Sequence, residues 1–144
     1  MKHKIDFRRL GRKASHRKAL HRNMVTSLLQ YERIKTSNMK AKEIRRSAEK
    51  MITRAKVDSV HNRRIIAKSI RSKSVIAKLF LDVAPRFFSR PGGYTRIIKL
   101  GRRNGDGSEV VLLELVERKE IERKQKPKKE EASGEETEKE DTKE

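Results

Sequence analysis

The stretch RFFSRPGGYTRIIKLG, Arg86 to Gly101, sets two adjacent glycines among Arg86, Arg90, Arg96 and Lys99, with Arg102 one step beyond. Such turns bind phosphate, because backbone amides approach closely where no Cβ intervenes and arginine forks onto two oxygens. Two chemistries fit: cradling the phosphates of a nucleotide substrate, or pressing a loop onto a polynucleotide. The first needs G-x-x-x-x-G-K-[ST] between a strand and a helix, so that helix amides meet the phosphates. Here no GK[ST] follows, and Gly92-Gly93 come after a helical pattern and before a strand pattern. The same order excludes a dinucleotide fingerprint. Two readings remain. Pro91 and the glycines redirect the chain into the strand, or the turn also offers amides, Arg90 and Arg96 to RNA phosphates.

Other reactive constellations are weaker. Laid over Asn104 and Asp106, the calcium-loop pattern puts Arg102 at its first ligand position and Leu113 at its twelfth, where carboxylates are required. His3, His16, His21 and His61 form no pair at four-residue spacing, and cysteine is absent, so neither a metal site nor a disulfide is expected. The serines lack a GxSxG setting, and most carboxylates of the folded part lie beside cations, so no acid/base pair stands out. The chain is therefore read as having no enzymatic activity, no cofactor and no small-molecule substrate.

What the chain does carry is charge. The formal net charge is +19, with 41% charged and 33% hydrophobic residues in 144. Residues 1–118 hold 31 cations against 10 acids. Solubility does not need that excess, whereas a polyanion partner does, since each neutralised phosphate releases a counterion. The longest uncharged run, Asn23 to Tyr31, is nine residues, far short of the roughly 20 that span a bilayer, and no signal-peptide core is present. A cytoplasmic protein without a membrane partner is expected. Cations recur in the arm (Arg8, Arg9, Arg12, Lys13), on the first helical pattern (His16, Arg17, Lys18, Arg22), at Lys35, on the second pattern (Lys40, Lys42, Arg45, Arg46, Lys50, Arg54), at Arg63-Arg64 and in the glycine segment. Aromatics make up 4% of residues, too few for base stacking as the main mode, so RNA shape and backbone are the expected targets.

The elements that must position these residues follow from periodicity. Residues 1–14 form a basic arm with no apolar period, expected to order on RNA. Ser15 caps a first helix with Leu20, Met24, Leu28 and Tyr31 on one face. Arg33 to Thr36 reads as a brief strand. Ser37 or Asn38 opens a second helix with Ala41, Ile44, Ala48, Met51, Ile52 and Ala55 inward. Asp58 caps a third, with Val60, Ile65, Ile66 and Ile70. Ser72 or Ser74 opens a fourth (Val75, Ile76, Leu79, Phe80, Val83), which Pro85 should end at Ala84. The period then changes from 3.6 to 2: Tyr94 to Leu100 and Val110 to Val116 read as strands joined by GRRNGDGSE. The fold class is α+β, one domain in the order α-β-α-α-α-β-β with a small mixed sheet. Residues 15–118 form the domain, and residues 119–144, Lys/Glu-rich and almost without large apolar groups, form a tail expected to be disordered.

Taken together, SHRKALHRNM (15–24), IKT (34–36), KAKEIRR (40–46), AKVDSVHNRR (55–64), AKLF (77–80), PRFFSRPGGYTRI (85–97) and ELVER (114–118) resemble the ribosomal protein L-seventeen family of the bacterial large subunit. The resemblance runs in order over roughly residues 1–118, and its most specific piece is the glycine segment. It implies an α+β domain that binds large-subunit ribosomal RNA, supports subunit assembly, and lies on the exit-tunnel side among neighbouring large-subunit proteins. Carried over by residue, it implies RNA contact for His16, Arg17, Arg22, Arg63, Arg64, Arg86, Arg90 and Arg96. Gly92 and Gly93 would set geometry, and Tyr94 belongs to the same motif. Competing classes are a nucleoid-type DNA binder and an RNA-modifying enzyme; the second would need a cofactor pocket that this short chain does not suggest.

Overall fold

The computed structural model describes residues 7–118. The expectations for residues 1–6 and for the tail, residues 119–144, lie outside the described residues. The order is α1 (Ala14–Tyr31), β1 (Arg33–Ser37), α2 (Asn38–Ala55), α3 (Val60–Ala67), α4 (Lys73–Lys78), a π-helical turn (Leu79–Val83), α5 (Ala84–Arg86), β2 (Thr95–Arg102) and β3 (Glu109–Leu115). The α+β class and the order of elements are as the periodicity indicates. The sheet differs in one respect: its order is β1-β3-β2 and both pairings are antiparallel, so it is not mixed. The last strand inserts between the other two, which lets the short β1 pair along its whole length.

Helix α2 is the axis of the core. Ala41, Ile44, Ala48, Ile52 and Ala55 are buried at successive spacings of three and four, one helical face. Three of the five are alanine, which allows neighbouring elements to approach closely. α1 contributes Val25, Leu28 and Leu29; of the expected stripe only Leu28 is fully buried, while Tyr31 is 57% exposed and Leu20 and Met24 are half-buried. The buried face is rotated because α1 packs against both α2 and α4. From β3 come Val111, Leu113 and Leu115, all fully buried, with Phe87 and Tyr94 closing the core. Each large apolar side chain so buried contributes roughly 1.5–3 kcal/mol.

Three helix boundaries differ from expectation. Ser15 does not cap α1; the helix begins at Ala14, with Lys13 at the N-cap position and no side-chain cap bond. Ser59, not Asp58, caps α3 and accepts a hydrogen bond from the Asn62 amide at 3.2 Å. Asp58 instead takes a two-pronged bond from Arg63, 2.6 Å on each arm. Pro85 does not end the fourth helix at Ala84. The run continues to Arg86 through a π-helical turn in which the Ala84 amide bonds Leu79 O. In a regular helix the proline ring would clash with the carbonyl four residues earlier; the wider turn just before it keeps the chain helical.

Because cross-strand partners share a face, Arg33, Glu114 and Arg96 form one row on the outer side of the sheet, and Lys35, Leu112 and Ile98 form the next. The opposite face carries Val111, Leu113 and Leu115 into the core.

Candidate nucleic-acid interface

The glycine segment splits into an interior and an exterior part. Tyr94 is 1% exposed; its ring meets Phe87 edge to face at 5.3 Å, and Lys56 Nζ lies 4.7 Å from the ring centre. Thr53 Oγ1 donates to its hydroxyl at 3.3 Å. Tyr94 is thus a packing residue, out of reach of a macromolecule. Gly93 sits at φ 68°, a left-handed conformation that side chains resist, and it aims the chain from Arg90 into β2. The Lys56 ammonium donates to Arg90 O and holds the turn to the end of α2.

Arg86 is also an interior residue. Its guanidinium donates to both Glu32 carboxylate oxygens, at 2.9 and 2.8 Å, to Glu117 O at 2.6 Å and to Asp82 O at 3.2 Å. Glu32, 4% exposed, closes α1 in a left-handed conformation (φ 59°), and its carbonyl accepts the Leu115 amide at 2.9 Å. Lys78 Nζ lies 2.8 Å from the same carboxylate. Burial works against the Arg86 charge, but the Glu32 bonds and the charges of Asp82 and Glu117 prevail and hold its pKa above the ordinary value. The group named as a phosphate contact therefore ties together α1, the π turn and the end of β3.

The remaining residues of the expected site face outward. Arg90 and Arg96 are 40% and 58% exposed, resting 3.3 Å from Glu117 and 3.9 Å from Glu114. Lys99, Gly92 and Gly93 are exposed. On α1, His16 and Lys18 are exposed; Arg17 is half-buried over the Phe7 ring at 4.5 Å, and Arg12 Nε meets His16 at 3.3 Å. Arg9 and Lys13 are exposed, while Arg8 reaches the buried Glu43 at 2.7 Å and pins the described end of the arm to α2. Arg63 and Arg64 are exposed on α3, with the Arg63 guanidinium stacked 4.6 Å above Phe80.

Two clefts gather cations that are distant in sequence. Arg22 meets Arg71 across a cleft of about 480 Å³ floored by Asn23, Thr26, Ser27 and Ser69. Lys35, Lys40 and Arg103 line another of about 540 Å³ with Thr36, Ser37 and Ser108. Arg71 and Arg103 were not singled out in the sequence: each lies in a connection, and tertiary packing alone brings it opposite its partner. Lys42, Arg45, Arg46, Lys50 and Arg54 cover the outer face of α2, as its amphipathic pattern requires.

The carboxylates show the reverse allocation. Of the nine Asp and Glu among the described residues, eight lie within 4 Å of an arginine or lysine. The ninth, Glu109, accepts from Asn38 at 2.6 Å. Acids hold the fold together, and the surplus cations are left for solvent or a partner. Among the described residues no helix is long and apolar enough to cross a membrane, and no His/Cys/Asp/Glu cluster could hold a metal ion.

A small α+β domain whose acids are engaged internally and whose cations cover helices, loops and clefts has the charge distribution that suits a polyanion partner. The comparisons with known proteins narrow the class. Residues 20–116 match the family model of ribosomal protein L17. The chain is 57% identical over 118 residues to large ribosomal subunit protein bL17 of Borrelia turicatae, covering 82% of this chain and 95% of that one. The same-named proteins of Pelobacter propionicus (57% over 119 residues, 83% and 94% covered) and Treponema pallidum (57% over 117, 81% and 71%) agree. The chain belongs to the ribosomal protein L17 family.

Proposed function

We propose that the chain is a structural constituent of the large ribosomal subunit, without catalytic activity, that binds large-subunit rRNA through arginine and lysine contacts to phosphates and supports subunit assembly and translation. The carrying observation is the allocation of charge: the described carboxylates are engaged within the fold, while cations of the arm, α1, α2, α3 and both clefts stay exposed. A net +21 over residues 1–118 repels itself unless a polyanion neutralises it. Family membership supports ribosomal RNA as that polyanion and the cytoplasm as its place.

In this reading residues 1–14 are a basic arm, 15–118 the RNA-binding domain and 119–144 a tail outside it. Arg9, Lys13, Lys18, Lys99, Arg90 and Arg96 anchor phosphates directly, while Arg86 and Tyr94 support them from inside. Neighbouring large-subunit proteins on the exit-tunnel side are its protein partners. Sedimentation of cell extracts tests the proposal. Co-migration with the large subunit through a high-salt wash is the expected result; migration with DNA would overturn it in favour of a nucleoid protein.

A further inference from the structure

The C-terminal segment and the cleft at the start of β3 are complementary in charge and within reach of one another. Residues 119–129 carry six cations and two acids, whereas residues 130–144 carry eight acids and two lysines. The cleft holds Lys35, Lys40 and Arg103 beside the hydroxyl groups of Thr36, Ser37 and Ser108. Arg103 is forked onto Asp106, with Nε 3.0 Å from Oδ1, but among the described residues neither Lys35 nor Lys40 has a carboxylate partner. The nearby acid, Glu109, is turned to Asn38. Hydroxyls and unpaired ammonium groups in one concave site suit any anion with clustered oxygens, carboxylate or phosphate alike.

We propose that this cleft is a polyanion site which, in the free protein, takes the acidic segment 130–144 of the same chain, so that the tail and RNA compete for it. The reach is adequate. The described chain ends at Arg118, just past β3, and Val110 at the cleft lies five residues before Leu115, roughly 17 Å along a strand. Residues 119–129 can span at most about 36–40 Å, long enough for the acidic block to reach the cleft. Tethering makes the contact intramolecular, and individually weak ion pairs then suffice to occupy the site. RNA displaces the tail because it offers many phosphates to the whole basic surface, not to one cleft. The consequence is selective: weak, non-specific polyanion binding is suppressed more than binding to the full rRNA site. This inference rests on the RNA-binding reading.

Two experiments on the full chain separate them. The first uses no RNA: a zero-length carbodiimide reagent joins lysine amines to carboxylates, and peptide mapping reads the pairs. Bonds from Lys35 or Lys40 to residues 130–144 within one chain are expected. Their absence, or bonds between isotopically distinct copies in a mixed sample, would overturn the proposal. The second replaces the eight acids of residues 130–144 by Gln or Asn and measures binding to a random RNA duplex across a salt series. Neutralisation should tighten binding about tenfold at low salt, and in a Lys35→Gln, Lys40→Gln background the gain should fall to about twofold or less. An equal gain in both backgrounds would mean that the tail acts as diffuse charge, and the cleft assignment would fail. If no variant binds RNA while the crosslinks form, the RNA reading fails and the tail contact stands.

Discussion

The two ends of the β-sheet use the same residue types in opposite ways. Where β3 finishes, Arg86 is 17% exposed and forked onto Glu32, with Lys78 on the same carboxylate. Where β3 begins, Lys35, Lys40 and Arg103 line an open cleft, and the two lysines have no acid partner among the described residues. The first end is closed and the second available. What decides between them is whether a carboxylate from a distant segment arrives beside the cation, as Glu32 does across 54 positions of sequence. A basic motif therefore mixes residues that build the fold with residues that meet a partner.

The sharpest way to break this comparison is to open the closed end. Arg86→Ala takes the two-pronged partner from the buried Glu32 carboxylate, with Lys78 still beside it, and removing one member of a buried pair costs several kcal/mol. A loss of about 3 kcal/mol is expected, lowering the thermal midpoint by roughly 10–20 °C. A midpoint within about 2 °C of wild type, read by circular dichroism, would show that Glu32 is satisfied without Arg86. Gly93→Val comes next. Nothing lies within 4 Å of the added Cβ, so the cost is purely that of a β-branched residue at φ 68°, about 2 kcal/mol. Gly92→Ala, where φ is not positive, should stay within about 0.5 kcal/mol. Equal denaturation midpoints for the two variants would misplace the turn.

The comparison also explains how much was legible beforehand. The strands, the α2 stripe and the role of the glycines followed from periods of two and 3.6, which are local properties. The candidate site was legible as a set of cations but not as a surface. Arg86 and Arg90 are four residues apart in one motif, yet one meets a buried acid from the end of α1 and the other a half-exposed acid just past β3. Likewise, Arg103 reads as part of a hairpin loop until the fold lays that loop beside Lys35 and Lys40. The antiparallel sheet was hidden for the same reason, since strand order is a tertiary fact. The π turn before Pro85 is a compromise that no propensity announces.

On the exterior part of the glycine segment the expected stability effect is smaller and the functional one larger. Arg90→Ala with Arg96→Ala removes two solvent-screened pairs, which should change stability by less than about 1 kcal/mol. The slope of log affinity against log salt for RNA should fall by about two, and the variant should lose to wild type in competition for subunit incorporation. An unchanged slope with full incorporation would move both arginines to the group that Arg86 represents.

The smallest effect concerns a buried polar group in the opposite condition to Arg86. His21, on the face of α1 toward α2, has Nδ1 3.4 Å from Ser47 Oγ, while its buried Nε2 has no partner among the described residues. Burial lowers its pKa below the ordinary 6.5; the Glu43 charge opposes that shift and Arg17 adds to it. A depressed folded-state pKa means that the unfolded chain binds the proton more readily, so this contribution is complete above about pH 6.5 and is lost as pH falls through the folded value. Urea midpoints should therefore decline from pH 7.5 to 5.5 more steeply in wild type than in His21→Gln, which cannot titrate but still offers Ser47 a polar neighbour. Parallel declines would mean that titration of His21 contributes nothing to the acid sensitivity, and the buried ring would be carried at no cost in stability.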